Sequence, residues 1–257
     1  MRRSGFVSSR RSGSAASAAH DLSLLDRAFR ILGASLNVLV LFVAAARLAR
    51  HLGAAWHPAL VAGCLLAFGA ATFAADLTSG LLHWAFDTWF STTRGAFRRM
   101  VSIVREHHVK PDEIFTFRFA TDSGILSWFG GSGAFVLLLA SLAAGDHPVL
   151  VVALCLAAVI YSADVSLMFE YHKWGHRRRR GPIPRLAQRC GLLLSPDHHL
   201  RHHRGAHDSH YCLINGMADR TLGAWGLFRG LERVISAVTG AEPRAEDHAA
   251  LARLVRQ

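Results

Sequence analysis

Long uncharged apolar blocks alternate with polar segments along this chain, and their lengths predict its elements. The first block runs from Arg30 to Leu48 through N-V-L-V-L-F-V-A-A-A, just long enough to cross a bilayer. A short connection, Ala49 to Pro58, leads to a second block, Ala59 to Ala75, which is short by itself. It continues directly into D-L-T-S-G-L-L-H-W-A-F-D-T-W, so a single helix is expected to leave the membrane carrying polar residues on one face. Residues 91–122 read as a polar loop. Gly124 to Ala144 carries no charge, and after the turn G-D-H-P a fourth block extends from Val149 to about Glu170. The pattern predicts an all-α integral membrane protein with about four transmembrane helices. From Gly181 onward the chain is soluble in character.

Composition sharpens this. Half of the 257 residues are apolar, 51%, yet the formal charge is +11. In a soluble protein that basicity would suggest nucleic acid. Here the apolar residues are gathered in blocks, which marks a membrane protein with basic edges and no nucleic-acid partner. Residues 1–28 are expected to be a basic tail, with Arg2, Arg3, Arg10, Arg11 and several serines. No apolar core follows those arginines, which argues against a signal peptide, although an Arg/Ser-rich transit peptide has the same composition. Lysine and arginine concentrate in the tail, in residues 91–122 and at Arg177–Arg180. By the positive-inside rule both termini and these segments are cytosolic. Residues 29–176 then form the four-helix region, and residues 177–257 a cytosolic, histidine-rich helical cap, the two making one functional domain. The host membrane is expected to be a bacterial inner membrane or the endoplasmic reticulum. Cys64, Cys155, Cys190 and Cys212 form no C-x-x-C, so a metal site would rest on nitrogen and oxygen.

Between Ser195 and Cys212 lie His198, His199, His202, His203, His207 and His210. On a helix, His199 and His203 share a face, as do His198 and His202, and paired neutral imidazoles are good ligands for transition metals. A purification tag would be terminal and monotonous; this run is internal and patterned. Three more groups fall on the same side: His83 with Asp87 (i,i+4), Arg105-Glu106-His107-His108, and His172 with His176 (i,i+4). A zinc site takes three or four ligands, so this many histidines suit a pair of ions. Iron is favoured over zinc, because four spans serve a lipid substrate and a pair of irons with dioxygen can attack an unactivated C–H bond. Asp87, Asp164, Glu170 and Asp197 are candidate acceptors for the ring N–H groups. Asp164 stands out as an acid inside a span.

Together, D-L-T-S-G-L-L-H-W-A-F-D-T-W, R-E-H-H-x-x-P, H-K-W-G-H and H-H-x-x-H-H-x-x-x-H resemble the Kua (CarF-type) lipid desaturases, the plasmanylethanolamine desaturase family, over about Asp76 to Glu232. The resemblance implies a membrane-bound di-iron enzyme that uses O2 and electrons from a cytochrome b5-type or ferredoxin-type donor. It would form the vinyl-ether bond of plasmalogens from an ether phospholipid. Plant members resemble it too and desaturate an acyl chain of phosphatidylglycerol. The matching positions imply His83, His107, His108, His172, His176, His198, His199, His202, His203 and His207 as metal ligands and Asp87 as a catalytic residue.

A desaturase and a hydroxylase share this metal chemistry, so both remain open. A non-enzymatic metal-binding or transport protein is the other class; a transporter would place ligands midway through the membrane, whereas nearly all the histidines here fall at the cytosolic ends, which favours the enzyme. Carbons beside an ether oxygen lie near the headgroup, at the depth of a site on helix ends. Arg98, Arg99, Arg105, Lys173 and Arg177–Arg180 form a basic rim that could hold the lipid phosphate, although positive-inside bias is the better explanation for most of these residues.

Overall fold

The computed structural model describes residues 24–52, 58–92, 97–119, 123–177 and 181–245. The expected basic tail lies outside them up to residue 23, as do Arg178–Arg180. Among the described residues the regular structure is all helical. Four helices are long and apolar enough to cross a membrane: α1 (Leu24–Leu52), α2 (Pro58–Thr88), α4 (Gly124–Ala143) and α5 (Pro148–His176). The segment expected as a polar loop contains a further helix, α3 (Arg98–Val109), and a 3-10 turn, Pro111–Thr116. Its apolar residues Met100, Val101 and Val104 are buried, a helical spacing that its arginines obscure. After α5 come two short helices, α6 (Pro182–Arg189) and α7 (Pro196–His202). A π-helical turn, Asp219–Gly223, precedes the last helix, α8 (Leu227–Thr239).

The fourth span is longer than its apolar block suggests, because the helix continues through H-K-W-G-H to His176. At 1.5 Å per residue, α2 and α5 are each over roughly 40 Å long, against about 30 Å of hydrocarbon. Their last two to three turns therefore extend past the apolar layer, and those turns carry His83 and Asp87 on α2 and His172 and His176 on α5. α5 is central: it packs against α1, α2 and α4, and α1 also packs against α4. A buried polar contact ties α1 to α5, where Ser162 Oγ donates to Asn37 Oδ1 at 2.6 Å and Asn37 Nδ2 donates to Ser166 Oγ at 3.3 Å. In an apolar surrounding such interhelical bonds hold helices in register.

Residues 211–219 cross α2 as a largely non-helical strap, buried at nearly every position. Its N–H groups lack helix partners and lie near the edge of the apolar layer, so they need acceptors. Asp76 supplies them. Its Oδ1 accepts from the main-chain nitrogens of Ile214 (3.1 Å), Asn215 (2.9 Å) and Gly216 (3.1 Å), and its Oδ2 from Ala218 (2.9 Å). Ser79 Oγ accepts from Leu213 N at 2.9 Å. The strap also needs close approach to α2: a Cβ on Gly80 would lie 2.5 Å from Cys212 Sγ. α8 closes over it, with Phe228, Leu231 and Ile235 packed against Leu77, Leu81 and Trp84 of α2.

Removing the Asp76 carboxylate orphans several buried N–H groups at once. Asp76→Ala is expected to lower stability by at least about 3 kcal/mol, and Asp76→Asn, which keeps one acceptor oxygen, by less. Thermal unfolding of the detergent-solubilised chain measures both.

Candidate metal centre

The structure brings nine of the sequence-predicted residues into two neighbouring groups. One comprises His107, His172, His176, His199 and His203; the other His83, Asp87, His108 and His202. Within each group, one potential ligand atom per residue lies within 4.8 Å of all the others. Helix geometry explains the division. Residues four apart on a helix share a face, so His172 and His176 stay together, as do His83 and Asp87. Residues one apart diverge by about 100°, so His107 and His108 separate, as do His202 and His203. α3 and α7 thus each contribute to both groups.

In the first group, His199 Nε2 lies 2.8 Å from His172 Nε2, 2.8 Å from His176 Nε2 and 2.9 Å from His203 Nε2, while the Nε2 atoms of His172 and His176 are 3.3 Å apart. A neutral ring nitrogen offers one proton or one lone pair, so it cannot serve three such partners. Metal–nitrogen bonds of about 2.0–2.1 Å put adjacent ligand nitrogens roughly 3.0–3.4 Å apart, close to the spacings here. In the second group, Asp87 Oδ2 is 3.4 Å from His83 Nε2, 3.5 Å from His202 Nε2 and 3.8 Å from His108 Nε2. His83 Nε2 and His107 Nε2 are buried with no hydrogen-bond partner among the described residues. Converging, buried nitrogens of this kind fit a pair of metal ions.

Electrostatics agree with that fit. Burial, reinforced by neighbouring imidazoles, holds His107, His108, His199 and His202 well below the usual histidine range, and lowers His203 to about 3. These rings are neutral at pH 7 and keep lone pairs for a cation. Their orientation is fixed from behind. A carbonyl only accepts, so His83 Nδ1–H donates to Tyr211 O at 2.8 Å and His202 Nδ1–H to Ser209 O at 2.7 Å, which leaves each Nε2 lone pair facing the group.

His198 and His207 are brought into neither group. His198 Nε2 meets Asp219 Oδ2 at 2.9 Å. His207, with a left-handed φ of 52°, stacks on the His108 ring at 4.2 Å. The acceptors that hold the rings also differ from expectation. Asp164 accepts from Tyr171 Oη at 3.2 Å, Glu170 pairs with Lys173 at 2.7 Å, and Asp197 is exposed. Two main-chain carbonyls hold the rings of His83 and His202, and Asp219 holds His198. Asp76 and Asp219 were missed by the sequence reading, although the principle that flags Asp164, an acid within an apolar helix, applies equally to Asp76.

Much of the expected basic rim is engaged internally. Arg105 donates from Nε to Phe86 O at 3.1 Å, and from one terminal nitrogen to Asp87 O at 3.0 Å and Phe90 O at 2.8 Å. It caps the carboxyl end of α2 and pins α3, with His107 and His108, beside it. Lys173 is buried and donates to Phe117 O at 2.7 Å. Among the described residues, Arg98 and Arg177 remain as exposed members.

Comparison with known proteins places this arrangement. A family model described as the lipid desaturase domain matches residues 72–246. The chain belongs to the lipid desaturase domain family. Both groups of potential ligands lie inside the match. A plasmanylethanolamine desaturase of Myxococcus xanthus is 30% identical over 187 residues, 68% of this chain and 61% of that protein. Plasmanylethanolamine desaturase 1 of Mus musculus is 28% identical, over 71% of this chain and 69% of its own length. The chloroplastic fatty acid desaturase 4-like 2 of Arabidopsis thaliana is also 28% identical, over 66% of this chain and 59% of its own. The matched part of the chain thus spans about three-fifths of two of these relatives. No solved structure matches the chain.

Arg105→Ala is expected to lower thermal stability by about 2 kcal/mol, since three carbonyls lose their donor. Arg105→Lys should restore only part of it, because one ammonium group cannot reach all three. Equal unfolding temperatures for wild type and Arg105→Ala would refute the cap.

Proposed function

We propose that this chain is a membrane-bound, O2-dependent lipid desaturase with two irons, one per ligand group, acting on an ether phospholipid to form the vinyl-ether bond of plasmalogens. The observation that carries the reading is the meeting of two largely buried groups, eight histidines and Asp87, side by side at one end of the spanning helices. Irons held by these residues would activate O2, which is the oxidant: two hydrogens from adjacent carbons, two protons and two electrons from an external donor reduce it to two waters. The protein's part is positioning. His83 and His202 are held by carbonyls, and the carboxylate of Asp87 offsets cationic charge in its group. Beside His83 and His172 the wall is apolar, formed by Phe86, Met168, Phe169 and Leu213, which excludes water from that side of the two rings.

The ether preference rests on the two relatives named plasmanylethanolamine desaturases. The second reading, an acyl-lipid desaturase, rests on the Arabidopsis relative at nearly the same identity. The spans and residues 177–257 act as one functional unit, because α2, α3, α5 and α7 all supply ligands. The site faces the cytosol, as the positive-inside pattern indicates, which is also where a soluble electron donor would reach it.

Expression in cells that contain alkyl ether lipids but no plasmalogens tests the activity. Acid-labile vinyl ethers should appear in the lipid mass spectrum and vanish with His203→Ala. A new acyl double bond without a vinyl ether would move the assignment to the second reading.

Orientation has its own probe. Cys190 is exposed, whereas Cys212 is buried and Cys64 lies within α2. A membrane-impermeant maleimide should label Cys190 only after the cytosolic side is opened; labelling of intact cells would reverse the topology.

A further inference from the structure

We infer that His198 is a positioning residue rather than a metal ligand: together with Asp219 it holds the main chain that orients His83. The inference rests on the metal-centre reading above. Its i,i+4 spacing from His202 would put His198 in the second group, but neither ring nitrogen belongs to either cluster of ligand atoms. Its Nε2 lies 2.9 Å from Asp219 Oδ2. Asp219 Oδ2 acts as an acceptor, since it also takes Cys212 N–H, so His198 Nε2 donates to it and does not offer the lone pair that an ion would need. Space leads to the same conclusion. Gly216 has φ of 74°, and a Cβ there would sit 2.6 Å from His198 Nε2, so the strap lies directly on the imidazole.

The Asp219 carboxylate has further partners. Its Oδ1 accepts from Tyr211 N at 3.2 Å and its Oδ2 from Cys212 N at 2.9 Å. The carbonyl of Tyr211 in turn receives His83 Nδ1–H. A continuous chain of contacts therefore runs from His198 on α7, through Asp219 and the Tyr211 main chain, to His83 on α2. α7 also carries His202, which belongs to the same group as His83. The His198–Asp219 pair thus sets the position of one helix's ligand relative to the other's. Every acceptor site on Asp219 used here faces a buried donor, so losing the His198 bond leaves the carboxylate unbalanced and the strap free to shift. Ring orientation through a hydrogen-bonded partner is worth roughly 10–100-fold in metal affinity when that partner is lost.

The test uses the purified full-length chain in detergent, stripped of metal and titrated anaerobically with ferrous iron, with bound iron measured after equilibrium dialysis. Wild type should fill both groups, and His199→Gln, which removes a member of the first group, should lose an ion. His198→Gln keeps a donor N–H near the position of Nε2 and offers no imidazole. It is expected to retain both ions with wild-type affinity. His198→Ala and Asp219→Asn should bind one of the ions roughly tenfold more weakly, while their metal-free unfolding temperatures show that the fold persists. Loss of an ion in His198→Gln, as in His199→Gln, would make His198 a ligand and overturn the inference. Unchanged affinity in His198→Ala would overturn it from the other side, because the residue would then position nothing. A wild-type chain that takes up no iron overturns the metal reading and this inference together, and that arm identifies the failure without reference to the variants.

Discussion

Four main-chain N–H groups ending on the carboxylate of Asp76 are the contact on which the site depends. A non-helical strap beside a membrane span is tolerable only if its polar groups are satisfied within the protein. With the strap fixed on α2, the Tyr211 carbonyl stands behind His83, and Asp219 follows in position to meet His198. Without it, α2 would present a histidine with no defined tautomer or ring orientation. Asp76 touches no ligand atom, yet it determines where the second group is built.

The histidine centre is a set of buried polar groups that protein contacts alone leave poorly satisfied. Its nitrogens approach one another at hydrogen-bond distance without enough protons to bond them all. Burial strongly disfavours charging the rings, and each protonated ring would raise the cost for its neighbours. A cation resolves both problems at once, taking the lone pairs and replacing repulsion with attraction. The same burial that keeps the imidazoles neutral leaves their lone pairs open to a cation.

The cap also shows how basic residues acquire structural work at a membrane edge. Arg105 and Lys173 lie where positive-inside bias places them, but both point inward to main-chain carbonyls, one closing α2 and the other joining α5 to Phe117. Guanidinium geometry suits the carboxyl end of a helix, where several carbonyls lie unpaired within reach of one group. A charge count along the sequence records such residues as rim, whereas their hydrogen bonds make one a helix cap and the other a tie between α5 and Phe117.

The sequence by itself determined the spans, because crossing a membrane requires length and apolarity, and both are local properties. It also marked the candidate ligands: His83, Asp87, His107, His108, His172, His176, His199, His202 and His203 stand at helical spacings that would suit a metal ion. Only the tertiary structure decided how they divide, since sharing between two groups depends on the relative rotation and height of α2, α3, α5 and α7. His198 shows the limit most clearly. Its spacing is that of a ligand, and only the approach of Asp219 and Gly216, distant in sequence, turns its ring to another use. Asp76 is marked in the sequence only as an acid within an apolar helix, and Asp219 is not marked at all. A carboxylate that accepts main-chain N–H groups needs no particular side-chain partner at a fixed spacing, so no pattern of residue types shows what it holds.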